Sequence, residues 1–309
     1  MKVVNVRLSK KIISDVDALA KRHELNRSEI IRQALTVYTH IVENVGTILR
    51  PIAFQIKPAQ IGYTRRGDVT ILRIPTGHAI VIGSTSSGAI GPKSLDEIKV
   101  EGRTVGRFLA RVALMDVATT GAFPIMLSAT LGVKKEPTGR EIMEGVRREV
   151  SLLGLDPNQV LMENMEENFD TVQTGAGLTA VGFANEDELR LGKTMPSDLL
   201  VAIGLPKVGE EVLPAEVKAE IADLRNVIWL SQKKYIHDMV PVGTFGIAHE
   251  ARMMAFAVGR QLKTNDKLEI DLNKSAGPAT VVLVTMDREK FEDMSSLIKK
   301  PTTVIGEII

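Results

Sequence analysis

VNVRLSKKIISDVDALAKRHELNRSEIIRQAL, residues 4–35, decides how the chain begins. Val4, Val6 and Leu8 alternate with Val3, Asn5 and Arg7, which predicts a short strand with one apolar face and one face of mainly polar side chains. Ser9 stands where an N-cap belongs, ahead of a helix over roughly 10–23 whose one side holds Ile12, Ile13, Val16 and Leu19. Asn26-Arg27-Ser28-Glu29 predicts the start of a second helix, with Ile30, Ile31, Ala34, Leu35, Val37, Tyr38 and Ile41 on its apolar side. A strand and two helices in about 45 residues bury too little surface to stand as a monomer. A partner chain is expected.

The charge balance supports a separate head. Residues 1–50 carry nine Lys/Arg against five Asp/Glu, an excess of four, and the net charge of +1 therefore leaves −3 for the remainder. A basic head on a mildly acidic body suits a polyanionic partner, although an excess this small is also what a solvated face carries. The 309 residues are 44% hydrophobic and contain no cysteine, which excludes disulfides, thiolate metal sites and cysteine nucleophiles. No apolar run approaches the roughly 20 residues of a membrane span, and MKVVNVRLSKK has no signal-peptide core. A cytoplasmic location is the expectation.

These opening residues resemble the ribbon-helix-helix DNA-binding family over about 2–46. In that family two chains pair their strands and the outward side chains enter the major groove. Carried over by position, Asn5 and Arg7 are the expected base readers, with Val3 as an apolar contact. A two-stranded ribbon fits the groove, and Arg and Asn suit guanine and adenine through paired hydrogen bonds. The family also holds phosphate at the start of the second helix, here around Arg27 and Ser28, where free N–H groups and the helix dipole favour an anion. A dimerisation module without DNA contact would show the same alternation but has no need of Arg7 on the outward face.

Residues 47–60, with Pro51 and Pro58, read as a linker. Beyond it, VTILRI, HAIVIG, IMLSATLGV, LTAVGFA, DLLVAIGL and ATVVLVTM are predicted strands, and 103–120, 138–153, 214–224, 247–262 and 288–299 predicted helices. The fold class expected is therefore α+β or α/β: a small head over 1–46, then a two-lobed body with lobes at 61–190 and 191–309, divided near the polar stretch NEDELRLGKTMPSD. Gly67-Asp68-Val69-Thr70, the stretch GSTSSGAIGPK (83–93) read as a glycine- and serine-rich loop, MDVATTGAFP (115–124), NMEENFDTVQTGAG (164–177) and PVGTFGIAHEARMMA (241–255) are the candidate site segments. Each alone is an ordinary turn pattern.

Their order resembles the superfamily of aminoimidazole ribonucleotide synthetase, thiamine-monophosphate kinase and selenophosphate synthetase, and EENFDTVQTGAGLTAVG looks most like its α-ribazole kinase-like group. The resemblance implies two α/β lobes, a dimer formed through the first-lobe sheets, and ATP held in a cleft with Mg²⁺ on aspartates. By position Asp68 and Asp116 match metal-binding aspartates, and Glu167 and Asn168 lie in a turn that the family places near the metal. Mg²⁺ takes hard oxygen ligands and commonly uses only one or two carboxylates with substrate phosphates. The nucleotide contacts expected are Gly67, Gly83, Ser84, Gly88, Gly91, Lys93 and Gly121, since backbone N–H groups hold phosphate whatever the side chain.

The departures are equally specific. Val69 replaces the second aspartate of the family's Gly-Asp-Asp turn, Gly83-Ser84-Thr85 stands where a strand-end aspartate belongs, and Met115 precedes Asp116. Phosphoryl transfer depends on positioned metals that neutralise developing charge, so the loss weighs against full activity, and no catalytic residue is assigned. The function expected is a homodimeric DNA-binding transcription regulator whose body binds a nucleotide or phosphorylated metabolite as effector. The alternative is an ATP- and Mg²⁺-dependent small-molecule kinase or synthetase with an autoregulatory or dimerising head. Asp68 and Asp116 also have an ordinary reading as a turn residue and a helix-end residue.

Overall fold

The structure, a computed structural model, describes residues 7–45 and 60–309, with backbone alone for 40–45. Val3 and Asn5, the strand they belong to and nearly all of the linker lie outside the described residues. The chain separates into two compact units, Met1–Gln60 and Ile61–Ile309.

In the first unit, α1 (Lys10–Arg22) starts as its cap dictates: the Ser9 Oγ accepts from the Ile12 N–H at 3.3 Å. Glu24, at φ +56°, turns the chain, and α2 (Arg27–Val45) begins with the Asn26 Oδ1 accepting from the Glu29 N–H at 2.9 Å. Arg27 forks onto Asp17 across the two helices at 2.7 and 2.6 Å, and this guanidinium holds the Asp17 carboxyl below its usual range. Only Ala20 is buried among the described residues of this unit, while Ile12, Leu19, Leu35, Val37 and Tyr38 stay exposed. The apolar faces that the sequence predicts are thus formed and left uncovered by the two helices.

The second unit contains two principal sheets. The first joins β1 (Gly62–Arg66), β2 (Val69–Ile74) and β3 (His78–Gly88) to β6 (Phe123–Leu131), β7 (Leu161–Met165) and β8 (Gly175–Asn185), in the order β1-β2-β3-β8-β6-β7. Its ladders are antiparallel except β6 with β7. A small parallel pair, β4 (Ile90–Gly91) and β5 (Ile98–Lys99), stands apart. Residues 83–88, read from the sequence as loop, continue β3. After buried Gly83, Ser84, Ser86 and Gly88 are exposed and Thr85 and Ser87 half-buried, so the segment has a strand's period without a strand's apolar signal. Ile71, Val81, Leu127, Leu178 and Ala180 line the covered face. The other face shows half-buried Ile80, Ile82 and Val181 beside exposed Phe183, Phe123, Ile125 and Met126.

Between the sheets runs α3 (Gly102–Thr119), with 14 of its 18 residues buried, as befits a helix enclosed on nearly every side. It lies against α4 (Arg140–Ser151) at glycines on both helices: a Cβ on Gly106 would stand 1.8 Å from the Ile142 carbonyl oxygen, and one on Gly145 would stand 2.1 Å from that of Arg103. The short helices α5 (Pro157–Val160), α6 (Val212–Val217) and α7 (Leu224–Ser231) follow. The predicted helix over 214–224 is interrupted: Ala219, at φ +58°, ends α6, and the Asp223 carboxylate caps α7 through the Asn226 N–H.

The second sheet is antiparallel throughout, in the order β10 (Ile236–Pro241), β12 (Val282–Met286), β9 (Leu199–Ile203), β13 (Thr302–Ile308), β11 (Leu262–Thr264). Every residue of β9 and β12 is buried, because both faces are covered. Val201, Val282 and Val284 join the core around α3, while Leu200, Ala202 and Leu283 join a second core with Ile247 and Met254 of α8 (Gly246–Ala257). The helix α9 (Phe291–Ile298) completes the unit. Among the described residues no helix is long and apolar enough to cross a membrane.

Candidate ligand cleft

A cleft of about 470 Å³ opens where the two sheets meet along α3. One end is made by the two-residue turn between β1 and β2, in which Gly67 adopts φ +54°, a conformation that tight hairpins require and glycine supplies without strain. The turn presents Arg66 and Asp68. The Arg66 Nη1 donates to the Asp238 Oδ1 on β10 at 2.8 Å, while the Arg66 Nη2 is buried with no hydrogen-bond partner. Asp238 also accepts from the N–H groups of Gly192 and Met239, yet burial pushes its carboxyl above the usual range. One ion pair thereby joins the first sheet to the second. Arg190 anchors the crossing by donating to the carbonyls of Ser231, at 2.5 Å, and Ile236.

Asp116 reaches the cleft from α3. It is 8% exposed, and among the described residues no donor reaches its carboxylate. Burial, then Asp68, then Glu250 push its pKa up to about 8. Glu250, in the second turn of α8, is raised in turn, chiefly by its own burial. Asp68, Asp116 and Glu250 therefore form one acidic end of the cleft, while Val105, Phe108, Leu109, Val112, Met239 and Val240 supply apolar wall. The Phe108 ring also carries two guanidiniums, Arg107 and Arg111, at 4.7 and 4.6 Å. These arginines pair with Glu216 of α6, and Arg111 also with buried Glu149 of α4.

Of the residues singled out in the sequence, Gly67, Asp68, Gly88 and Asp116 line this cleft. Gly83 does not line it but lets Asp116 lie against β3, since a Cβ there would stand 2.9 Å from the Asp116 Cβ. The Ser84 hydroxyl pairs with Thr179. Gly91 and Lys93 close a turn around buried Asp96, whose Oδ2 accepts from the Lys93 N–H. Gly121, at φ +88°, turns the chain after α3 against the Glu188 carbonyl. Glu167 accepts from the Lys135 N–H, and the Asn168 N–H donates to Glu166; neither residue lines the cleft. The sequence reading missed Arg66, Asp238 and Glu250 as site residues. Glu250 lies within the candidate segment 241–255 and Arg66 next to Gly67, whereas Asp238 lies in a stretch not predicted as a strand.

Of the residues expected to hold Mg²⁺, Asp68 and Asp116 line the cleft together, and Glu167 and Asn168 do not line it. Among the described residues the one trio of ligand atoms lying within 4.8 Å of one another is Asp198, His237 and Asp287. Asp68, Asp116 and Glu250 do not form such a trio, and Mg²⁺ commonly takes only one or two carboxylates together with substrate phosphates. In the Asp198 trio each histidine nitrogen faces a different carboxylate, the Nδ1 at 2.9 Å from Asp198 and the Nε2 at 3.6 Å from Asp287.

Fold and site together describe a helical head followed by a two-sheet α+β body with an acid-ended cleft. Residues 2–38 match the model of the ribbon-helix-helix protein, CopG family, and residues 66–156 match that of the AIR synthase related protein, N-terminal domain. The chain thus carries a ribbon-helix-helix segment and an AIR synthase-like body. Among solved structures it is similar to the thiamine-monophosphate kinase from Stenotrophomonas maltophilia K279a, with 13% identity, a TM-score of 0.56, and coverage of 82% of this chain and 89% of that one. It is also similar to E. coli HypE, a hydrogenase maturation protein, with 13% identity, a TM-score of 0.53, and coverage of 74% and 79%. Hydrogenase maturation protein HypE in complex with ATP gives 15%, 0.50, 74% and 76%. At these identities the likeness is one of fold. No curated protein matches the chain.

Proposed function

We propose that this protein is a homodimeric DNA-binding transcription regulator whose AIR synthase-like body serves as its sensor. The head reads an operator and the body takes a small-molecule effector in the cleft along α3. The observation that carries this reading is a ribbon-helix-helix segment joined to a body with a formed cleft, in which Val69 and Gly83-Ser84-Thr85 stand where the resembled family has carboxylates. The uncovered apolar helix faces of the head and the uncovered face of the first sheet support pairing with a second copy. The effector implied by the resemblance is a nucleotide or phosphorylated metabolite. In this cleft its phosphates would have to arrive with a divalent cation such as Mg²⁺, because Arg66, the only cationic side chain among the described lining residues, is already bonded to Asp238. Effector binding would act by population shift, favouring one arrangement of the dimer over another.

Titration of operator DNA with and without ATP, and with and without Mg²⁺, tests the nucleotide form of the reading. A ligand-dependent change in operator affinity supports it; the same affinity under all conditions removes ATP as effector. ATP turnover that disappears in Asp116→Asn would instead make the body a kinase or synthetase. In the head, Arg7 is exposed, and Arg7→Ala is expected to weaken specific operator binding by about 1–3 kcal/mol with a smaller loss on unrelated DNA. Equal losses on both DNAs would make Arg7 a phosphate contact.

A further inference from the structure

One end of the second sheet brings together a histidine and two aspartates, none of which lines the cleft. Asp198 stands just before β9 and Asp287 just after β12, and because Leu199 pairs with Met286 the two leave the sheet at the same end. On β10, Ile236 and Asp238 pair with the consecutive residues Met286 and Thr285, so His237 is the extra residue of a bulge, a device that re-aims a side chain. The His237 Nδ1 lies 3.0 and 2.9 Å from the two oxygens of Asp198, whose side chain is 4% exposed and whose Oδ2 also accepts from the Met195 N–H. A carboxylate only accepts, so Nδ1 carries the ring proton and the neutral ring presents a lone pair at Nε2. That lone pair faces the Asp287 Oδ1 at 3.6 Å, and among the described residues Nε2 makes no hydrogen bond. No spacing in the sequence announces this meeting, because positions 198, 237 and 287 converge only through the order of the strands.

Two acceptors thus face each other across a gap whose length discriminates. At 3.6 Å it exceeds an N–H···O bond, about 2.7–3.2 Å, and falls short of the roughly 4.5 Å that a bridging water would span. Two ligands held about 2.0–2.2 Å from one tetrahedral Zn²⁺ lie about 3.4 Å apart. Among the described residues no lysine or arginine pairs with Asp198 or Asp287, and Arg288, next along the chain, is turned to Glu307. We propose that the His237 Nε2 and the Asp287 carboxylate bind a first-row divalent transition ion, Zn²⁺ being the probe of choice, with Asp198 as the residue that positions the ring. A metal-bound histidine commonly donates its other N–H to a carboxylate in this way, which fixes the tautomer and makes the ligating nitrogen more basic. The imidazole favours Zn²⁺ over Mg²⁺, which takes oxygen ligands. The Asp287 side chain is 54% exposed, so water can fill the remaining positions and the ion can exchange with solvent. The site is separate from the cleft and stands whether or not the cleft takes an effector.

The test is isothermal titration of the full-length protein, stripped with EDTA and dialysed, with ZnCl₂ in the absence and presence of excess MgCl₂. The wild type is expected to take up one more equivalent of Zn²⁺ per chain than either Asp287→Asn or His237→Gln. Asp198→Asn should bind that equivalent about 10–100-fold more weakly. Because Asp287 is exposed, the metal-free melting temperature of Asp287→Asn should match the wild type at neutral pH, which separates loss of a ligand from loss of the fold. Excess Mg²⁺ should leave the equivalent in place. The same stoichiometry in wild type, Asp287→Asn and His237→Gln overturns the site, and so does displacement by Mg²⁺, which would remove the nitrogen ligand from it. Absence of Zn²⁺ binding overturns it as well; a melting difference between wild type and Asp287→Asn that then appears only in acid would make the trio a clamp held by a proton.

Discussion

Asp116→Asn is expected to make the protein more stable than the wild type at alkaline pH and to match it near pH 4. In the folded protein burial, then Asp68 and Glu250, push the carboxyl up to about 8 from its ordinary 3.8. Below about pH 4 folded and unfolded chains both hold the proton and the group contributes nothing. Between about 4 and 8 the unfolded chain has released a proton that the folded chain keeps, so wild-type stability falls as pH rises, by up to about 1.4 kcal/mol per pH unit. Above 8 both forms are ionised and the penalty is constant. Integrated over the window it amounts to several kcal/mol, with roughly 5 as a ceiling because a charged site relaxes and admits water. Asparagine resembles the neutral acid in shape and does not ionise. Melting curves of both proteins from pH 4 to 9 should diverge steadily and then run parallel; curves parallel throughout would mean that Asp116 is ionised in the folded protein at neutral pH.

Gly106→Ala is expected to destabilise the body by about 3 kcal/mol or more. The added carbon would stand 1.8 Å from the carbonyl oxygen of Ile142, which is backbone within α4 and cannot turn aside as a side chain would. Relief requires α3 and α4 to separate, and α3 is also packed against the first sheet and β10. Gly175→Ala is the comparison: its Cβ would meet nothing within 4 Å, so the denaturation midpoint should hardly move. A Gly106→Ala midpoint equal to that of Gly175→Ala would mean that the two helices do not touch at this crossing.

Legibility in the sequence followed local chemistry. Ser9 and Asn26 announce their helices because capping is a short-range hydrogen bond, and both caps form. Apolar runs such as LLVAI announce central strands because burial on both faces leaves nothing polar to hide them. The edge strands GYTRR and LMENM escaped, since exposed Thr64, Arg65, Glu163 and Asn164 break any apolar run, and so did IHDMVP, which buries Asp238. That aspartate is compensated by the N–H groups of Gly192 and Met239 and by Arg66, which arrives from 172 positions away, a pairing that no local pattern encodes. The cleft divides in the same way. Asp68 and Asp116 stood out by motif, whereas Glu250 acquires meaning only when α8 brings it toward the hairpin turn. Gly83 was singled out as a phosphate contact, and its place beneath Asp116 shows a glycine needed for close approach instead.

The position of α3 has a practical consequence for finding the natural ligand. The same helix forms the wall of the cleft and the centre of the largest core, so whatever occupies the cleft is tied to the melting of the whole body. By mass action, a compound present at 100 times its Kd adds about 2.7 kcal/mol to stability. A metabolite library can therefore be ranked by melting temperature alone, before any operator sequence or any reaction is known.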